Sequence, residues 1–148
     1  MRAPEKKLKI LFLCTGNSCR SQMAEGWARR LGNDFVEPYS AGIEKHGLNP
    51  NAVEVMSEAG VDISGHHSKT LDELVDVEFD YVVTVCGHAN EKCPLFPAPT
   101  RKEHWPLADP AKAEGSKEEI MDTFRATRSE IRRRVADLLE RLCDEKNL

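Results

Sequence analysis

The residues Cys14-Thr15-Gly16-Asn17-Ser18-Cys19-Arg20 stand between the apolar run 8–13 and a helical pattern that begins at Ser21. Their types suit one kind of chemistry. A loop of this length can curl until its backbone N–H groups converge on one tetrahedral anion, and Gly16 permits backbone angles that a side chain would resist. The helix that follows adds the positive end of its dipole. Arg20 supplies a planar fork that can grip two oxygens. The same field favours the thiolate of Cys14, a nucleophile near neutral pH. The oxyanion-binding set is therefore Thr15, Gly16, Asn17, Ser18, Cys19, Arg20 and Ser21, with Cys14 as the attacking group. A cysteine that merely closes a strand is the alternative, and the order strand, loop, helix argues against it.

More thiols follow. The segment VCGHANEKCP carries Cys86 and Cys93. The chain has five cysteines, at 14, 19, 86, 93 and 143. An odd number with no secretion signal points to catalytic or redox roles in a reducing cytoplasm rather than to a structural disulfide framework. Cys86, His88 and Cys93 also lie close together, but their spacing lacks the paired C-x2-C of structural zinc, so no metal and no cofactor are expected. Were 86–93 helical, seven steps would part the two Cα atoms by about 10.5 Å. A disulfide tolerates roughly 7 Å. Joining them would therefore require the segment to refold, with Gly87 and Pro94 bracketing it. Cys19 reads as packing, or as a partner for Cys14 under oxidant, and Cys143 as inert.

The elements that must position these groups alternate. Residues 8–13 read as a strand buried on both faces, 21–31 as a helix with Met23, Ala24, Trp27 and Leu31 on one stripe, and 34–41 as a weaker strand. Asn49 caps a helix with Pro50 in its first turn, and Gly60 stops it. A short helix falls near 70–75 and a clear strand over 80–85. Residues 87–104 read as a long loop, and WPLADP as a short strand running into a turn. Ser116 and Glu119 form a capping box that opens a helix to about Leu142, with Ile120, Phe124, Ile131, Val135, Leu138, Leu139 and Leu142 as its stripe. The pattern predicts an α/β fold with a mainly parallel sheet and helices on both faces. Ligands in such sheets bind beyond the carboxyl ends of the strands, where Cys14 and Cys86 both lie.

The 148 residues suit a single domain spanning 1–148. The formal charge of −4 disfavours nucleic acid, and the basic run RSEIRRR sits within a helical pattern as a solvated face. No stretch is long and apolar enough to span a membrane. A cytoplasmic monomer is expected.

CTGNSCRSQMAEG, with SAG at 40–42, resembles the low-molecular-weight protein tyrosine phosphatase superfamily, and within it the thioredoxin-coupled arsenate reductases. The resemblance runs from about Lys9 to Leu142. It implies a three-layer sandwich around a four-stranded parallel sheet, with Cys14 as nucleophile and Arg20 as oxyanion clamp. The C-x6-C-P at Cys86 and Cys93 is similar to that family's pair and implies a Cys14–Cys86–Cys93 disulfide relay regenerated by thioredoxin. Glutaredoxin- and mycothiol-linked reductases share the loop, so the reductant rests on that pair. The substrate implied is arsenate, with phosphate or sulfate as competitors.

The resemblance also makes Asp109, directly before Pro110, the general acid; an Asp-Pro turn is the plain alternative. Ala111 and Lys112 follow, where the phosphatases typically place tyrosine. Asn17 and Ser40 match positions that brace the loop. In some relatives the positions of Asn17, Glu25, Ser40 and an acidic residue after an H-x-S motif hold potassium. Here Lys69 follows His66-His67-Ser68, so that its ammonium group would replace or repel the cation, with Glu25 as its partner. Trp105 is expected on the wall of the site, and His46, His88 and His104 in solvent. Two other functions fit the residues: a phosphatase using Cys14, Arg20 and Asp109, and a sensor that binds metalloid at its thiols without turnover.

Overall fold

The computed structural model describes residues 7–92 and 100–145. β1 (Leu8–Cys14) is the spine. Residues Ile10 to Cys14 are all buried, and because neighbouring strand residues face opposite ways, both sides of the strand are covered. It pairs in parallel with β2 (Val36–Gly42) and with β3 (Tyr81–Thr84), and β3 pairs in parallel with β4 (Arg101–His104). The order is β2-β1-β3-β4, so the two strands that end near Cys14 and Cys86 are central neighbours. In register, Cys14 lies opposite Gly42, and Leu13 opposite both Ala41 and Thr84.

Among the described residues four α-helices flank the sheet: α1 (Arg20–Gly32), α2 (Pro50–Glu58), α3 (Gly87–Lys92) and α4 (Lys117–Glu145). Asn49 caps α2 as its type requires, accepting from the N–H groups of Asn51 (2.8 Å) and Ala52 (3.3 Å). Ser116 and Glu119 exchange side-chain-to-backbone bonds of 3.1 Å each and open α4. On α4 the buried stripe is Met121, Phe124, Ile131, Val135, Leu138, Leu139 and Leu142, with Ile120 only partly covered. Each such side chain contributes about 1.5–3 kcal/mol of burial. On α1 the buried apolar residues are Met23, Ala24, Trp27 and Ala28, and Leu31 is 39% exposed, because the stripe has rotated off the core by the last turn. Among the described residues no helix is long and apolar enough to cross a membrane.

Within the expected loop over 87–104, the described residues form two elements. Helix α3 follows Cys86 directly, and β4 precedes Trp105 rather than including WPLADP. The strand RKEH is an exposed, charged sheet edge, which protects against edge pairing and hides its strand character in the sequence. The stretch near 70–75 is a single 3-10 turn, Leu71–Leu74. Trp105 is 2% exposed and packs on Phe12 with ring centroids 5.8 Å apart, so it belongs to the core rather than to an open wall.

Candidate active site

The loop between β1 and α1 is shaped by what holds its carbonyl oxygens. Those of Cys14, Thr15, Gly16 and Ser18 accept from the N–H groups of Ile43, Glu44, His46 and Asn49, at 2.8–3.1 Å. Asn17 O accepts from Gln22 Nε2, and Gly16 O also from the Ser68 hydroxyl. Every carbonyl from residue 14 to 18 is thus drawn outward. In a planar trans peptide the next N–H points the opposite way, so the N–H groups of residues 15 to 19 converge inward. Asn17 reaches this shape at φ 48°, in the left-handed region that Asn tolerates better than most residues. Gly42, the last residue of β2, presses on the loop: a Cβ there would lie 2.4 Å from Glu44 O and 2.7 Å from Asn17 N. Cys19 at the helix start gives no side-chain cap, which leaves the first N–H groups of α1 for an anion.

Cys14 is 2% exposed. Its sulfur accepts from Asn17 N (3.2 Å) and lies 2.8 Å from Ser21 Oγ. Asn17 Nδ2 donates to that same Oγ at 2.9 Å, so the serine proton is free to point at sulfur. Asn17 Oδ1 accepts from Gln22 Nε2 (2.9 Å) and Lys69 N (2.9 Å), which fixes the orientation of the amide. Two hydrogen-bond donors are thus aimed at the one sulfur.

Arg20 is buried at the far side of the loop. Its Nη1 donates to Leu107 O at 3.0 Å, and its Nη2 lies 3.6 Å from Asp109 Oδ2. Its Nε is buried with no hydrogen-bond partner among the described residues, a donor that an oxyanion would satisfy. Asp109 does cap the 3-10 turn Pro110–Lys112, accepting from Ala111 N at 3.0 Å, yet the same carboxylate faces Arg20 and Cys19. Burial first, then the neighbouring Asp109 and Cys14, pushes the Cys19 thiol up to about 12, so it stays protonated and faces Asp109 Oδ1 at 3.6 Å. Cys86, 5% exposed, touches the loop from the other side: its sulfur is 3.1 Å from Thr15 Oγ1 and accepts from Ala89 N at 3.4 Å. Cys93 lies outside the described residues. The geometry thus brings Cys14, the loop 15–21, Arg20, Asp109 and Cys86 together.

Other residues pair differently from expectation. Ser40 sends its hydroxyl to Glu25 Oε1 (2.6 Å). Glu25 pairs with Arg29, not with Lys69, whose ammonium group turns to the His67 carbonyl at 3.1 Å. His46 is exposed, as expected, but it meets Glu44 at 2.7 Å and covers Gly16, while the half-buried His104 meets Thr84 Oγ1 through Nδ1 at 2.8 Å. The sequence gives no sign of Gln22, and it shows His66 only as the first residue of the H-x-S motif. Gln22 joins Asn17 across 5 positions and His66 joins Gln22 across 44, separations that no local pattern marks.

His66 supports a pH prediction. Burial, with Arg29 and Lys69 adding and Glu25 and Asp62 opposing, holds it below the ordinary histidine value of 6.5. The unfolded chain then takes up this proton first, so the contribution of His66 is complete above about 6.5 and is lost as pH falls below it. Thermal melting across pH 5–8 is expected to show the drop, and His66→Gln to flatten it; equal slopes for both proteins would reject the assignment.

Residues 9–148 match the family described as low molecular weight phosphotyrosine protein phosphatase. An arsenate reductase of Halalkalibacterium halodurans is 52% identical over 134 residues, covering 90% of this chain and 96% of that one. A solved structure described as an arsenate reductase in the phosphate binding state superposes with a TM-score of 0.74 at 33% identity, over 90% of this chain and 98% of that one. A thioredoxin-dependent arsenate reductase from Corynebacterium glutamicum superposes at 0.63 with 29% identity, over 90% of this chain and 64% of that one. A second buried thiol against the anion loop, together with this degree of likeness, decides the branch: the chain belongs to the low-molecular-weight phosphotyrosine protein phosphatase family, among its arsenate reductases.

Proposed function

We propose that this arsenate reductase works through a relay of Cys14, Cys86 and Cys93 and is regenerated by thioredoxin in a reducing cytoplasm, acting as a one-domain monomer. The Cys14 thiolate attacks arsenic(V), held by the inward N–H groups of residues 15–21 and by Arg20. An arsenic-bound hydroxyl leaves as water with a proton from Asp109. Cys86 then attacks the sulfur of Cys14. The S–As electron pair stays on arsenic, arsenite departs, and a Cys14–Cys86 disulfide remains. Cys93 attacks Cys86 by thiol–disulfide exchange, which frees the Cys14 thiolate. The two electrons gained by arsenic have come from two thiols, and thioredoxin's dithiol returns them. Asn17 holds the loop through its amide, and Ser40 supports it indirectly through Glu25.

The observation that carries this reading is Cys86, buried against Thr15 Oγ1 at 3.1 Å. A phosphatase finishes with water and needs no thiol there. The strands ending at Cys14 and near Cys86 are neighbours in the sheet, about 4.8 Å apart. The helix from Gly87 to Lys92 spans about 9 Å, so closing a Cys86–Cys93 bond requires α3 to unwind. The thioredoxin dependence of the Corynebacterium glutamicum relative favours the same reductant. The phosphate-bound state of a neighbour favours phosphate, and by shape sulfate, as competitors.

The deciding experiment is arsenate-dependent NADPH oxidation with thioredoxin and thioredoxin reductase. Sustained turnover in wild type that is lost in Cys93→Ser supports the relay; no turnover in wild type rejects thioredoxin as reductant. Asp109→Asn is expected to lower kcat about a hundredfold and to leave phosphate affinity within about threefold. Loss of binding with unchanged kcat would make Asp109 a turn residue only.

A further inference from the structure

Glu25 sits on α1 with a side chain only 9% exposed, and both its oxygens are taken. Ser40 donates to Oε1 at 2.6 Å, and Arg29 Nη2 donates to Oε2 at 2.8 Å. Arg29 does more than pair. Its Nη2 reaches Pro38 O on β2 at 3.3 Å, and its Nη1 meets His66 Nε2 at 3.2 Å. One guanidinium therefore touches a helix, a strand and the segment that carries His66.

That contact has a direction. Guanidinium can only donate, so His66 Nε2 must accept and His66 Nδ1 must carry the proton. Nδ1 then donates to Gln22 Oε1 (2.9 Å), which aims Gln22 Nε2 at Asn17 Oδ1 (2.9 Å). Asn17 Nδ2 is left to donate to Ser21 Oγ (2.9 Å), and the serine proton to Cys14 Sγ (2.8 Å). Every polar group in the line is set by the one before it, and Arg29 sets the first.

The potassium site implied by the resemblance does not fit these residues. Asn17 Oδ1 already accepts two N–H groups, Ser40 spends its proton on Glu25, and Lys69 stands where an acidic ligand would be needed. We propose that the Arg29 guanidinium is the resident cation of this site: it neutralises Glu25 and orients the hydrogen-bond line that ends on Cys14, so that the protein needs no monovalent cation from solution. The inference rests on Cys14 as the reacting thiolate, and Arg29 is a positioning residue.

The test compares KCl with choline chloride at equal ionic strength for wild type, Arg29→Met and Arg29→Lys, reading melting temperature and affinity for inorganic phosphate. Wild type and Arg29→Lys are expected to be indifferent to the choice of salt. Arg29→Met in choline is expected to melt about 5 °C lower and to bind phosphate about tenfold more weakly. KCl is expected to restore most of both, because Glu25 Oε2 and Pro38 O are then free oxygen ligands for the ion. A wild type stabilised or tightened more than about threefold by potassium overturns the proposal. So does an Arg29→Met protein equally impaired in both salts, or impaired in neither. If Arg29→Met does not fold, the wild-type and Arg29→Lys comparisons decide. A wild type that fails to bind phosphate at all would reject the anion-loop reading instead, while its melting in the two salts still decides the question of the cation.

Discussion

Cys86→Ser is expected to stop catalytic reduction of arsenate, to below about one-thousandth of wild type, while phosphate-ester hydrolysis stays within about twofold. Serine preserves the surroundings. Its hydroxyl can keep the contacts to Thr15 Oγ1 and Ala89 N that the thiol makes at 3.1 and 3.4 Å. The loop, Arg20 and Asp109 are then undisturbed, and so is everything needed to place an anion on Cys14. What serine cannot do is accept oxidation by forming a disulfide. The adduct on Cys14 forms and has no exit, so arsenite production falls while ester cleavage, which ends with water, continues. Arsenite release measured against hydrolysis of a chromogenic phosphate ester reads the two arms on one preparation. Proportional loss of both would show that Cys86 supports the loop rather than the electron transfer, and would leave the relay without its second member.

Arg20→Lys carries the second large effect, a loss of about 10²–10³ in kcat/KM for arsenate. The arginine fork is divided. Nη1 is committed to Leu107 O at 3.0 Å, which ties the loop to the segment carrying Asp109, and Nη2 leans on Asp109 at 3.6 Å. Nε is buried without a hydrogen-bond partner among the described residues and is aligned with Nη2 along one edge of the plane. Lysine offers a single point of charge. It can keep the Leu107 contact or meet the anion, not both. The inhibition constant for phosphate, measured beside kcat/KM, should weaken by less than the rate falls, since the clamp matters most as charge builds in the transition state. A loss under tenfold would move the oxyanion binding to the backbone alone.

The residues that reveal most in the sequence are those whose geometry is local. Cys14 to Arg20 are contiguous, so the strand, the anion loop and the helix can be read together; Asn49-Pro50 and the Ser116–Glu119 box announce their helices in the same way. The mainly parallel α/β sheet follows from the alternation of elements, and its count of four strands from the family resemblance. What stayed hidden depends on partners far along the chain. Strand β4 is charged because it lies on an edge, and a buried-strand pattern cannot detect it. Helix α3 begins at a glycine and has only six residues. The potassium positions of the resemblance suggest Lys69 as the partner of Glu25, whereas the i,i+4 geometry of α1 gives it to Arg29. Gln22 and His66 are ordinary polar residues until the fold closes them onto Asn17.

Asn17 itself answers two unrelated demands. Its backbone sits at φ 48°, and its amide must donate to Ser21 while its carbonyl oxygen accepts from Gln22 and Lys69. Glycine meets the first demand and has nothing for the second. Aspartate tolerates the backbone but offers only acceptors, so the bond to Ser21 would be lost and a like charge set beside the thiolate. Glutamine keeps the amide, one methylene too far, and resists the backbone angle. The position is thus confined by the intersection of two filters, each permissive on its own. A substitution path away from asparagine would have to alter Ser21, Gln22 and the loop's backbone in the same step.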